Sequence, residues 1–197
     1  MRPSDASPRL LIVPGLNDSG PTHWQSWLQA RDRSALRVKQ RDWVTPDLDR
    51  WTERVALTAE RAGEAGCVVV AHSFGCLAVV RHLLLRPRAN IVAALLVAPA
   101  DPDRFGLGAA LGPHRIGRPS TVVTSDTAPW FTANKAQRWA FGWGSHVVNL
   151  GDAGHINTQS GFGPFPLAER WRRTVLQREA TRRRESHAIE GEWLFAV

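Results

Sequence analysis

Apolar residues fall into short β-branched runs separated by stretches with helical spacing. Leu10-Leu11-Ile12-Val13 stops at Pro14-Gly15 and reads as a first buried strand. Leu36-Arg37-Val38-Lys39-Gln40 alternates and reads as a second. Four more runs follow, at Cys67 to Val70, Ile91 to Val97, Ser120 to Thr124 and His146 to Leu150. The unbroken Ile91–Val97 run is what a parallel strand buried on both faces requires. Between the runs the spacing turns helical. Thr22 is placed to N-cap a helix through His23-Trp24. Further helices are predicted from Leu48 to Arg61, from beyond Ser73 to Arg86-Pro87, from Ala133 to Gly142 and from Pro166 to Arg184. Ala98 to Pro119, rich in Pro and Gly, is expected to form a loop over the rim of a site. Strands alternating with helices at short spacing predict an α/β fold, a three-layer sandwich. Its mainly parallel sheet has about six strands, helices on both faces and no large lid domain. Right-handed crossovers then gather the functional loops at the carboxyl ends of the strands. One domain over 9–184 is expected, with a disordered lead-in at 1–8 and a tail at 185–197.

Composition narrows this picture. The 197 residues are 43% hydrophobic and 22% charged, which is a soluble globular balance. No apolar run approaches the length of a membrane span, and the first eight residues lack the apolar core of a signal peptide. Two cysteines, Cys67 and Cys76, flank the stretch around Ser73 and are expected to be buried and reduced, as in a cytoplasmic protein. The formal charge of +7 comes almost entirely from Arg. Its densest run, Arg170 to Arg184, is a solvated helix face or an anion-binding patch. No aromatic-basic module accompanies it, which argues against nucleic acid. The Gly15–Pro21 loop lacks both G-x-x-x-x-G-K-[ST] and G-x-G-x-x-G, and no His or Cys spacing fits a metal set. Neither a cofactor nor a metal is therefore expected.

The chemistry centres on Ala71-His72-Ser73-Phe74-Gly75. A buried strand ends here and an Ala/Leu/Val helix begins, with small residues two places either side of the serine. This is the pattern of a nucleophile elbow. A serine nucleophile needs a base for its proton and donors for the oxyanion. In this topology the order along the chain is Ser, acid, His. Ser73, an acidic residue after Thr124 and His155 after the last strand fit that order. The N–H groups of Phe74 and Leu16 are the expected oxyanion donors. His72 precedes the nucleophile and is expected to point away from it. His23 either lines the pocket or lies on the surface at a helix start. Cys76 falls inside the helix and is not expected to react. Of the nine tryptophans, Trp24, Trp43 and Trp130 are candidate pocket walls.

These pieces resemble the YdeN/retinoblastoma-binding-protein-9 family of small serine hydrolases in the α/β-hydrolase superfamily, over about Leu10 to Trp171. The resemblance is carried by Val13-Pro14-Gly15-Leu16, Ser19-Gly20-Pro21, His23-Trp24, Gln40 with Trp43 and Pro46-Asp47-Leu48, and the Ser73 pentad. Leu96 to Asp101 adds to it. Gly151-Asp152-Ala153-Gly154-His155-Ile156-Asn157, followed by Ser160-Gly161-Phe162-Gly163, is the most specific piece. It implies a Ser-Asp-His triad, with Ser73 and His155 in two of the places. The third place departs from the pattern. The family has Ser-x-Asp-Asp-Pro-aromatic, with the acid directly before proline. This chain has Ser125-Asp126-Thr127-Ala128-Pro129-Trp130, so Ala128 stands at the acid's position. Asp126 can serve only if the loop is re-routed; Asp152 reads as a turn residue. Two functions stay open. One is an esterase-like hydrolase of a small acyl ester or amide. The other is a hydrolase-fold module that binds a protein or ligand.

Overall fold

A computed structural model describes residues 6–194, with side chains as far as Glu185. Six strands form one sheet: β1 (Arg9–Val13), β2 (Leu36–Arg37), β3 (Cys67–His72), β4 (Ile91–Val97), β5 (Ser120–Thr124) and β6 (His146–Asn149). Their order is β2-β1-β3-β4-β5-β6, and every neighbouring pair is parallel. Six α-helices cover it: α1 (Trp24–Ala30), α2 (Leu48–Glu60), α3 (Phe74–Leu85), α4 (Gly108–Leu111), α5 (Ala133–Trp143) and α6 (Pro166–Leu194). This is the α/β-hydrolase three-layer sandwich, without a large lid insertion.

The period-2 alternation of strand side chains divides the core into two layers. Leu11, Val13, Val69, Ala71, Ala94 and Leu96 face one side, under Trp51 and Val55 of α2, Leu77 and Val80 of α3, and Trp143 of α5. Leu10, Ile12, Val70, Leu95, Val97 and Val123 face the other, under Trp24 and Leu28 of α1 and Ala168 of α6. Both faces of β1, β3 and β4 are therefore dry, which explains their unbroken apolar runs.

Three expectations need adjusting. The N-cap of α1 is His23, whose Nδ1 accepts from Gln25 N, and not Thr22. The second strand stops at Arg37, although Val38 N still bonds Ile12 O. The last helix runs ten residues past Arg184, to Leu194. The lead-in expected at 1–8 lies outside the described residues at 1–5, and Pro8 is buried. Part of the arginine run is used structurally. Arg172 pairs with Asp32, Arg182 with Glu179, and Arg183 donates to the carbonyls of Ala6 and Ala65.

Candidate active site

Ser73 is the single residue between β3 and α3, with φ 52° and ψ −125°. A non-glycine residue at positive φ is held there only by its surroundings. Two glycines make the turn possible by letting backbones touch. A Cβ on Gly15 would lie 2.7 Å from Ser73 Cβ, and one on Gly75 would overlap Pro14 O and sit 2.8 Å from Val13 O. Gly75→Ala is therefore expected to force the elbow away from the β1 loop. It should cost about 1–3 kcal/mol, the usual overpacking range, measurable by urea denaturation. An unchanged midpoint would mean that the contact can relax freely.

Ser73 Oγ makes no capping bond to its own helix. It lies instead 3.0 Å from His155 Nε2. His155 follows β6 on a loop bent at Gly154 and at Ile156, both at positive φ. Its backbone is fixed from two sides: its N–H donates to Ser160 Oγ, and its carbonyl accepts from His72 Nε2–H, each at 3.0 Å. The Trp130 ring packs edge-on against the imidazole and the His72 ring packs tilted against it, with centroids at 4.6 and 4.9 Å. Burial, and then the neighbouring His72, hold its pKa down at about 3. The ring is thus neutral and able to accept a proton. When Nε2 accepts from Ser73, Nδ1 carries the hydrogen.

No carboxylate meets that Nδ1 among the described residues. The structure does not bring Asp126 to the pair. Its exposed carboxylate accepts from Asn149 Nδ2 at 2.7 Å, at the end of β6. Asp152 accepts from Thr127 Oγ1 at 2.7 Å, as a turn residue would. The 125–130 segment is nevertheless zipped onto the His155 loop. Ala153 N donates to Ser125 Oγ at 3.0 Å, and Gly154 N to Thr127 Oγ1 at 2.9 Å. Ala128 is half-buried between Thr127 and Trp130, both of which touch that loop.

A serine on a strained strand-to-helix turn, bonded to a histidine after the last strand, is the constellation of a known group of enzymes. The family model described as serine hydrolase matches residues 10–173. The chain belongs to the serine hydrolase family. It is 33% identical to a Pectobacterium atrosepticum protein described as a YdeN-like hydrolase, with a TM-score of 0.78 over 89% of this chain and 90% of that one. The YdeN protein of Bacillus subtilis shares the fold at 18% identity and a TM-score of 0.72, over 87% of this chain and all of that one (100%). The esterase domain of a Rhodothermus marinus protein shares it at 14% and 0.56, over 81% and 83%. No curated protein matches the chain.

In this serine hydrolase the Ser73–His155 pair opens into a cavity of about 440 Å³. Leu16 reaches it from the β1 loop, and Phe74 N–H begins α3. Neither N–H has an acceptor among the described residues, as oxyanion donors require. His23 and His72 both line the cavity. His72 bonds the backbone of the His155 loop and makes no hydrogen bond to Ser73; burial holds its pKa at about 4. Trp130 is a wall. Trp24 and Trp43 are not: Trp24 is core and donates to Ile156 O, and Trp43 packs on Trp51. Cys76 is buried in α3, and burial raises its thiol pKa well above normal. Sequence reasoning missed Asp101 and Arg104, which also line the cavity. The Ala98–Pro119 segment that carries them is not featureless; it holds a 3-10 turn at Pro102–Phe105 and α4.

Proposed function

We propose that Ser73 is the nucleophile and His155 the general base of an esterase-like reaction on a small acyl ester or amide. The 3.0 Å contact between Ser73 Oγ and His155 Nε2 carries this reading. Ser73 Oγ attacks the carbonyl carbon while Nε2 takes its proton. The N–H groups of Leu16 and Phe74 hold the oxyanion. Collapse breaks the bond to the alcohol or amine, which leaves with the proton from Nε2. Water then attacks the acyl-enzyme, giving its proton to Nε2; collapse breaks the acyl–Oγ bond, Nε2 returns that proton to Ser73 Oγ, and the acid product leaves. In each half the imidazolium forms without a carboxylate beside it. The pair therefore works as a dyad, more slowly than a triad.

Mass spectrometry of the intact protein after exposure to a fluorophosphonate tests this. One adduct on the wild type, absent from Ser73→Ala, is expected. A folded wild type that takes no adduct would overturn the reading. It would favour a hydrolase-fold binding module, a role that the lack of a carboxylate at His155 supports. Among the described residues no helix is long and apolar enough to cross a membrane. The reading includes a reducing compartment, the cytoplasm, because Cys67 and Cys76 are free and buried.

A further inference from the structure

Three charged side chains line the cavity: Asp18, Asp101 and Arg104. Their states differ. Asp18 pairs with Arg37 at 2.7 Å. Asp101 is buried and pairs with Lys135 Nζ at 2.7 Å. The Arg104 guanidinium has neither an ion pair nor a hydrogen bond among the described residues. The lining imidazoles of His23, His72 and His155 are all neutral near pH 7, their pKa values lowered to about 3, 4 and 3 by burial. Arg104 is thus the one cationic side chain lining the cavity, and among the described residues its guanidinium donors have no acceptor.

Arg104 has two acids close by in sequence, and with Lys135 they leave the turn neutral as a whole, but neither carboxylate bonds the guanidinium. Asp101 and Asp103 sit three and one residues before it, on the same 3-10 turn. Lys135 of α5 takes both, at 2.7 Å each. The same clamp stiffens the turn. Asp101 Oδ1 caps Asp103 N at 3.0 Å, Gly106 N closes on Asp103 O, and Phe105 packs edge-on against Phe74 beside the nucleophile. Arg104 thus stands on a braced turn, exposed at the rim of the cavity that holds Ser73. A guanidinium fork matches a carboxylate by two parallel hydrogen bonds.

We propose that Arg104 selects substrates whose acyl part carries a carboxylate, so that the enzyme prefers half-esters of dicarboxylic acids. This rests on the hydrolase reading above. The carboxylate docks on Arg104 while the ester carbonyl lies at Ser73 Oγ.

The test compares mono-4-nitrophenyl succinate with its neutral counterpart, 4-nitrophenyl methyl succinate, on wild type, Arg104→Gln and Arg104→Lys. The wild type should favour the anionic ester by about tenfold in kcat/KM, mostly through KM, as a charge-assisted contact at a rim allows. Arg104→Gln should bring the ratio near one, Arg104→Lys should keep part of it, and added salt should erode it. Equal ratios in wild type and Arg104→Gln would overturn the proposal while leaving the hydrolase intact. Absent turnover of both esters, with no adduct at Ser73, would instead be the failure of the hydrolase reading. In that case NMR titration of wild type and Arg104→Gln with monomethyl succinate decides the anion site alone. Weaker binding by the variant upholds it, and equal binding ends it.

Discussion

Ala128→Asp is expected to speed acylation of Ser73 by about a hundredfold, read as kcat/KM on a neutral nitrophenyl ester and as the rate of fluorophosphonate labelling. In a Ser-His-acid site the carboxylate fixes the tautomer and stabilises the imidazolium, together worth about four orders of magnitude. Here the 125–130 segment already lies against the His155 loop. Thr127 bonds Gly154 N on one side of Ala128, and Trp130 packs on the His155 ring on the other. The gain should fall short of the full effect because the new carboxylate arrives without hydrogen bonds shaped to hold it. A second readout separates a true third member from better packing. A carboxylate beside His155 raises the imidazole pKa from its present value of about 3. The acid limb of the pH–rate profile should therefore move up in the variant. An Ala128→Asn control keeps the shape and should show neither change. If Ala128→Asp folds normally and gains nothing, the 125–130 loop does not present position 128 to His155.

The second large effect is on stability in mild acid. Burial holds His23 and His155 at about 3 and His72 and His82 at about 4. Arg37 adds to the shift at His23 and Arg86 at His82, where Glu53 opposes it. In the unfolded chain all four return to about 6.5. Between about pH 6.5 and pH 4 the unfolded state binds more protons than the folded state, so stability falls as pH falls. It is fully present above that window. At about pH 5 each such histidine has withdrawn roughly 2 kcal/mol. Four together reach several kcal/mol, a large share of an ordinary domain's stability. Urea midpoints measured from about pH 8 down to pH 5 should drop steeply below about pH 6.5. A flat profile would mean that these imidazoles are hydrated in solution. His82 lies on α3, outside the cavity lining, so His82→Gln should shallow the slope and leave labelling of Ser73 in place.

Much of the frame was legible because it depends on local order. The apolar runs at Leu10–Val13, Cys67–Val70 and Ile91–Val97 are read directly as strands, since each is dry on both faces. Ser73 was legible for a related reason. Strand, small residue, serine, Gly75 and helix are contiguous, and the close approach at Gly75 leaves no room for a side chain. His155 followed from its place after the last strand. What stayed hidden is set by partners far apart in sequence. Asp126 stands in the right order along the chain for the acid, but Asn149, 23 residues on, takes its carboxylate. His72 and His23 stack toward His155 only once the 151–156 loop folds over β3. Arg104 is one arginine among many in the sequence; its isolation depends on Lys135, 31 residues downstream of Arg104, having claimed both nearby acids.

The course of α6 has a practical side. The helix starts just after the His155 loop and runs back across the sheet. By Arg183 it has reached Ala65, beside the amino end of β3. At 1.5 Å per residue its 29 residues span about 44 Å. The catalytic loops gather at the carboxyl ends of the strands, so the far end of α6 lies at the opposite pole. A purification tag, a fluorophore or a solid support joined there would hold the protein with its cavity facing outward, open to whatever ester is passed over it.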